Sequence, residues 1–145
     1  MASLKDLAKN MYDLAASLDK KASDAAVKTA EAILEDLVYV TPVDTSKALS
    51  NWQVTTGLRR TLLSGAIPPY YPGKHGSTYQ QSAAAALEEG KKVLQSKKPG
   101  DRILISNVLP YIRRLNDGWS AQTPAGFVER AVLLGRKVLE RLNSA

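Results

Sequence analysis

The chain has 145 residues and no cysteine, and its 20 lysines and arginines outnumber its 14 aspartates and glutamates to give a formal net charge of +6. This length suits one domain, and the lack of cysteine excludes disulfides, thiolate catalysis and cysteine-based zinc sites. No window has the ~18 to 20 consecutive apolar residues of a membrane span, and the N-terminus has no basic region followed by an apolar block, so we expect neither a membrane anchor nor a signal peptide.

The basic excess is unevenly distributed. Residues 1–57 hold slightly more acidic than basic side chains, whereas the segments "GLRR", "GKKVLQSKKPGDR", "YIRR" and "GRKVLER" carry the positive charge. A net positive charge favours contact with polyanions or with acidic protein surfaces.

A long helix is predicted from about Ser3 to about Val38. Ser3 is the predicted N-cap, and the helix should end before Pro42, because proline disfavours the helical conformation in the preceding residue. Large apolar residues recur at alternating steps of three and four, which places them on one stripe of the helix. These stripe residues are Leu4, Leu7, Met11, Leu14 and Leu18.

A helix of this length would exceed ~50 Å and be longer than a domain of this size is wide. Two alternatives follow. Either the helix breaks around "DKKASD", residues 19–24, or its N-terminal half projects and packs on a neighbouring subunit.

Further elements are predicted in the middle of the chain. A helical turn leads into a strand at Trp52–Thr56, where valine and threonine favour pleated structure. Residues 57–77 are rich in glycine and proline, which predicts a long central loop. A helix follows over residues 78–96, capped by Ser77 or Thr78, and then a short strand, "RILIS".

Two helices are predicted near the C-terminus. The first spans residues 108–117, with Pro110 in its first turn and Gly118 after its end. The second begins at Thr123 and Pro124 and carries a three-and-four pattern of apolar residues: Phe127, Ala131, Leu134, Val138 and Leu142. Together these elements predict one α+β domain, residues 1–145, with long N- and C-terminal helices packed on a small mixed or antiparallel sheet.

Catalytic chemistry finds little support in the sequence. His75 is the only histidine, and it lies in the central loop. "GKHGST" does not match the phosphate-loop pattern, and the adjacent Glu88 and Glu89 point apart on a helix, as on a solvated face. The sequence does not offer the nucleophile and neighbouring general base that a hydrolase would need. We therefore expect a protein that is not an enzyme and has no metal or cofactor.

Binding of nucleic acid is the alternative prediction. Basic and aromatic residues alternate through the central loop, which suits stacking on bases and contact with phosphates: Arg59, Arg60, Tyr70, Tyr71, Lys74 and Tyr79. The competing interpretation is a loop whose tyrosines pack only on assembly. Trp52 and Trp119 are expected in a core or an interface.

Two motifs resemble the tail-completion, or neck, family of long-tailed bacteriophages, also described as minor tail or head-to-tail connector proteins. The first, "TPVDTSKALSNW" at residues 41–52, contributes Pro42, Asp44, Thr45 and Trp52. The second, "ISNVLPYIRRLNDGWSAQTPAGFVERAV" at residues 105–132, contributes Asn107, Pro110, Tyr111, Gly118, Trp119 and Pro124. The chain departs from the family at Ser46, where glycine is usual, and at Asn116-Asp117-Gly118, where Glu-x-Gly is common.

This resemblance implies a structural virion protein in the neck or tail, present in the host cytoplasm during assembly. It implies a homo-oligomeric ring, expected to be hexameric, between a head connector or stopper and the tail terminator or tail-tube proteins. DNA would pass through the ring with transient, non-specific contact. Within the central loop, Ile67, Tyr70 and Tyr71 would anchor on a neighbour, and Arg59, Arg60 and Lys74 would lie near DNA.

Overall fold

The computed structural model describes residues 3–41, 51–57, 79–107, 112–118 and 125–144. These residues form, in chain order, α1 (Leu4–Val40), β1 (Gln53–Thr56), α2 (Tyr79–Gln95), β2 (Ile103–Ser106), α3 (Ile112–Asn116) and α4 (Phe127–Ser144). The fold is α+β, as the sequence predicted, and its small sheet is antiparallel.

Helix α1 is continuous over 37 residues and is therefore about 55 Å long. The alternative of a break at residues 19–24 is wrong, because the helix runs through them. The predicted cap is confirmed: the Ser3 hydroxyl accepts from the Asp6 amide at 3.2 Å, and the Asp6 carboxylate accepts from the Ser3 amide at 3.0 Å. The helix ends at Val40, before Pro42.

The second half of α1 forms the centre of the core. Ala30, Leu34, Leu37 and Val38 are buried there. Helix α2 lies antiparallel to α1, because the Tyr79 hydroxyl at its start donates to the carbonyl of Tyr39, whereas Lys97, just past its end, donates to the Ser23 hydroxyl at 2.8 Å.

Helix α4 also runs antiparallel to α1. Gly135 lies against Ile33 and Thr29, and Leu142 shares a cavity with Ala25 and Leu18. The buried residues at the start of α4 are Phe127 and Ala131. α2 and α4 therefore flank the same half of α1.

Two glycines allow these close helix contacts. A Cβ on Gly90 of α2 would lie 2.1 Å from Leu34 Cδ2, and one on Gly135 of α4 would lie 2.5 Å from Ile33 Cδ1. Each glycine thus sits where another residue's side chain already fills the space.

Strands β1 and β2 pair with Val54 opposite Ile105 and Thr56 opposite Ile103. β1 begins at Gln53, one residue after the predicted start at Trp52. Val54 packs toward Gly90, so this face of the sheet lies on α2. β2 follows a tight turn in which the Asp101 carboxylate accepts from the Lys98 amide at 3.1 Å.

The prediction for the last helix needs two corrections. α4 begins at Phe127 rather than at Thr123–Pro124, because Gly126 has φ +81°, which a right-handed helix does not tolerate. Leu134 is also not a core residue: it is partly exposed, and Gly135 takes the buried position beside Ile33. The glycine is selected there because the two helix axes approach too closely for a larger residue.

Candidate assembly surfaces

The N-terminal half of α1, residues 4–22, is exposed throughout, and we call it the arm. It extends about 28 Å along the helix axis. Its stripe residues are all exposed, from 53% at Leu7 to 86% at Leu4. Of the two alternatives for α1, the projecting helix is therefore the one observed.

The arm separates its apolar and charged faces sharply. The stripe residues follow the alternating three-and-four step of positions a and d in a coiled coil. Beside the stripe lie small, uncharged residues: Ala8 and Ala15 on one side, and Ser3, Asn10 and Ser17 on the other. The charged residues of the first turns lie about 120° or more around the helix from the stripe: Lys5, Asp6, Lys9 and Asp13. The apolar face can thus be covered without desolvating a charge.

The stripe continues the helix face on which α4 packs. Ala25, Thr29 and Ile33 follow Leu18 at steps of seven, four and four, so they share its face. α4 covers this face as far as Leu142, which lies near Leu18, and ends two residues later. Beyond that point the same apolar face is uncovered by the described residues.

A second apolar surface is a groove of about 680 Å³ between α1, α4 and β2, which we call the α1–α4 groove. Its α1 wall runs from Asp19 to Leu37 and includes the small residues Ala22 and Ala26. Its α4 wall carries Val128, Val132 and Leu139, and its sheet side carries Ile103 and Ile105. On the α4 wall, Val132 is 46% exposed and Leu139 37%.

Polar groups occupy one end of this groove. Lys97 Nζ donates to the Ser23 hydroxyl and, at 3.2 Å, to the carbonyl of Lys98. Asp19 and Asp101 line the same end. Apart from Thr29, the rest of the groove is apolar, so a largely apolar occupant fits along its length.

A third surface is a concavity of about 550 Å³ between α1 and the end of α4. Lys20, Lys21 and Lys28 line it together with Asp24 and Asn143. Because the aspartate lies between the lysines on the helix, this surface is of mixed charge and not a continuous cationic strip.

Three of the residues singled out from the family motifs lie in described segments. Trp52 is buried, and its indole N–H donates to the Thr41 hydroxyl at 2.8 Å, which joins the end of α1 to the start of β1. Asn107 directly follows β2. Gly118 lies in the turn after α3 with φ +94°, and a Cβ there would lie 3.1 Å from Ala125 Cβ. Trp52 and Gly118 therefore have structural roles.

The remaining sequence-predicted site residues lie outside the described residues, as do His75 and nearly all of the central loop, residues 57–77. They are Pro42, Asp44, Thr45, Arg59, Arg60, Ile67, Tyr70, Tyr71, Lys74, Pro110, Tyr111, Trp119 and Pro124. Among the residues considered for stacking on bases, Tyr79 is described. Its ring meets Tyr39 edge-on, with centroids 6.1 Å apart, and its hydroxyl is bonded within the fold. Burial, and then Tyr39, raise the pKa of Tyr79 above its ordinary value.

Asn116 has a structural role that the sequence did not reveal. Gly126 stands at the N-cap of α4 without a side chain, and the Asn116 carbonyl oxygen Oδ1 accepts from the Val128 amide at 2.9 Å in its place. Asn116 Nδ2 also donates to both carboxylate oxygens of Glu129 at 3.0 Å. This bond, and then the backbone amide of Glu129, hold the pKa of Glu129 below its ordinary value.

Several charged groups of the helices lie at the surface, whereas Asp36 of α1 has one carboxylate oxygen buried without a hydrogen-bond partner among the described residues. The amide of Ser3, and then its hydroxyl, lower the pKa of Asp6. Glu88 is exposed, and Glu89 pairs with Lys92 at 3.2 Å on the surface of α2. This pair contributes on the order of a few tenths of a kcal/mol.

The described residues contain neither a metal-binding cluster nor a membrane-spanning helix. Within those ranges, His, Asp and Glu side chains do not gather in any group of three that would hold a metal ion. No helix in the described part of the chain has the length and apolar character needed to cross a membrane.

Sequence reasoning found the stripe but missed the groove. The groove brings together α1, β2 and α4, which are far apart in sequence, and the pairing of elements is not encoded in a local pattern. The sequence did hold a signal for the packing of α4 on α1, which forms two of the groove walls. Gly135 lies within a helical pattern, where glycine costs about 1 kcal/mol relative to alanine and so indicates a close contact between helices.

Comparisons with protein-family models, with curated proteins and with solved structures found no match to this chain.

Proposed function

We propose that this chain is a structural virion subunit of a tailed phage, which forms a ring at the neck and completes the tail or joins it to the head connector. The proposal combines the two motifs, at residues 41–52 and 105–132, with the surfaces of the fold. Its expected partners are further copies of the chain, the head connector or stopper, and the tail terminator or tail-tube proteins.

The exposed arm is the observation that carries the proposal. Monomeric proteins seldom leave a long row of large apolar side chains in water, and such surfaces mark sites of protein contact. Covering two of the stripe leucines contributes roughly 3 to 6 kcal/mol before ordering costs. In an assembly, neighbouring subunits would cover these exposed side chains.

The described residues suit positioning rather than bond-making chemistry. Trp52, Asn116 and Gly118 hold the ends of helices and strands together through hydrogen bonds and a tight turn. In a conduit, contact with DNA would be weak and independent of sequence, and salt would reduce it steeply.

Deleting the gene from the phage that encodes the chain tests this role. We expect electron micrographs of the lysate to show filled heads and separate tails, with joined particles restored by a plasmid copy. Normally joined virions in the deletion lysate would contradict the neck role. Tight, salt-resistant DNA binding by the purified chain would instead support a nucleic-acid-binding accessory protein.

A further inference from the structure

The arm and the α1–α4 groove have complementary shapes. The stripe from Leu4 to Leu18 extends about 21 Å, and the α1 wall of the groove, from Asp19 to Leu37, extends about 27 Å. The groove is therefore long enough to take the whole stripe. Ala22 and Ala26 in its wall, and Ala8 and Ala15 beside the stripe, are small enough for two helices to approach closely.

The charges also permit this contact. The apolar length of the groove would meet a helix face without charged residues, because the charged residues between Leu4 and Leu18 lie on the opposite face of the arm. The polar groups Asp19, Lys97 and Asp101 lie at one end of the groove, away from its apolar length, and Lys97 is hydrogen-bonded to the Ser23 hydroxyl there. Docking thus leaves no unpaired charge in an apolar site.

The area is close to the lower limit for a specific contact. A helix of ~11 Å diameter and ~28 Å length has a lateral surface on the order of 1,000 Å², and a groove covers about half of it. With a similar area from the groove, the contact buries roughly 1,000 Å², which is the lower limit for a specific interface.

Pairing between two arms explains the surfaces less well. Stripe positions a and d hold leucine and methionine and no β-branched residue, and the flanking positions lack the charges that align two-stranded coiled coils. Arm-to-arm pairing would also leave Val132 and Leu139 exposed. A symmetric pair would moreover end at a dimer, whereas a ring requires two different surfaces on each subunit.

We propose that the arm of one subunit docks in the α1–α4 groove of the next, in a head-to-tail contact between copies of this chain. The inference rests on the self-association within the proposed function and names the two surfaces that make it. Each subunit donates one arm and accepts another, so the contact repeats around a ring.

Two single variants and their mixture test this contact by sedimentation velocity. Leu14→Asp disables the arm and leaves the groove, whereas Val132→Asp disables the groove and leaves the arm. We expect each variant alone to be monomeric, with its dissociation constant raised at least about 100-fold. An equimolar mixture should form a 1:1 dimer and nothing larger, because it retains one working contact.

Exposed residues outside the contact provide matched controls. Tyr12→Asp alters the arm away from the stripe, and Leu133→Asp alters α4 at a 54% exposed position outside the groove. Both should assemble like the unaltered chain. If circular dichroism shows that Val132→Asp fails to fold, Leu139→Asp replaces it at the same wall.

The outcomes separate this inference from the proposed function. Association of Val132→Asp as strong as that of the unaltered chain, or two monomeric variants that do not combine on mixing, would overturn the arm-in-groove contact and leave self-association standing. An unaltered chain that stays monomeric would overturn both the arm-in-groove contact and the self-association on which it rests.

Discussion

Gly90 is the residue at which packing and helix propensity make opposite demands. Alanine is favoured over glycine in a helix by about 1 kcal/mol, but its Cβ at this position would lie 2.1 Å from Leu34 Cδ2 and 3.1 Å from Val54 Cγ2. Leu34 is fully buried and has little room to move. Overpacking of this kind costs ~1 to 3 kcal/mol, so it outweighs the gain in propensity.

We therefore expect Gly90→Ala to lower the free energy of unfolding by up to about 2 kcal/mol in urea titrations. Ala84→Gly, at an exposed position of the same helix, is the matched control and should cost about 1 kcal/mol through propensity alone. A stabilised Gly90→Ala variant would show that α2 and α1 are not in close contact at this point.

Asn116 determines how α4 begins. Removing its side chain in Asn116→Ala takes away the acceptor for the Val128 amide, and loss of a helix cap costs ~0.5 to 2 kcal/mol. It also removes the donor that lowers the pKa of Glu129. We expect NMR titration of the variant to show the Glu129 pKa shifted upward.

The direction of the pH effect follows from this pKa. Because folding lowers the pKa of Glu129, its contribution to stability is present above the unfolded pKa and is lost as pH falls through the folded pKa. Asn116→Ala should weaken that part of the acid dependence. An unchanged Glu129 titration in the variant would mean that the side chain of Asn116 does not bind this carboxylate in solution.

At the scale of elements, α1 consists of two halves with different sources of stability. The half that contains Leu34 is held by the core, whereas the arm, apart from its end near Leu142, is held among the described residues by its own hydrogen bonds and the cap at Ser3. A helix of about this length without tertiary contacts is marginally stable in water. The arm should therefore open locally far more often than the rest of α1.

Hydrogen exchange measures this difference directly. In dilute, monomeric protein, we expect amides of residues 7–18 to exchange at least about 100-fold faster than those of residues 30–38. At concentrations where the chain associates, the arm should become protected while residues 30–38 stay unchanged. Equal protection of both halves in the monomer would contradict an uncovered arm.

Features of the helices that depend on neighbouring residues were predictable from the sequence, whereas features set by other elements were not. The stripe, the Ser3 cap and the end of α1 before Pro42 were predictable, because each depends on neighbours in the sequence. The start of α4 was not, because Gly126 adopts φ +81° and the cap comes from Asn116 in another element. Leu134 fitted the apolar pattern better than Gly135, yet the close approach of Ile33 selects the glycine.

At the scale of the whole molecule, the exposed apolar surface favours association. The five stripe side chains contribute roughly 7 to 15 kcal/mol when covered, and association itself costs an estimated 4 to 15 kcal/mol. The groove adds the exposed area of Val132 and Leu139. We therefore expect self-association to be measurable at micromolar concentrations, at which a contact corresponds to about 8 kcal/mol.

Light scattering on the purified chain tests the central claim, that the arm is an assembly surface. Over concentrations from about 1 to about 100 µM, we expect the molar mass of the unaltered chain to rise well above one subunit. Leu14→Asp should stay at the subunit mass of 15.7 kDa, and Tyr12→Asp should follow the unaltered chain. A mass of 15.7 kDa for the unaltered chain at every concentration, or an equal rise for a folded Leu14→Asp variant, would contradict the account.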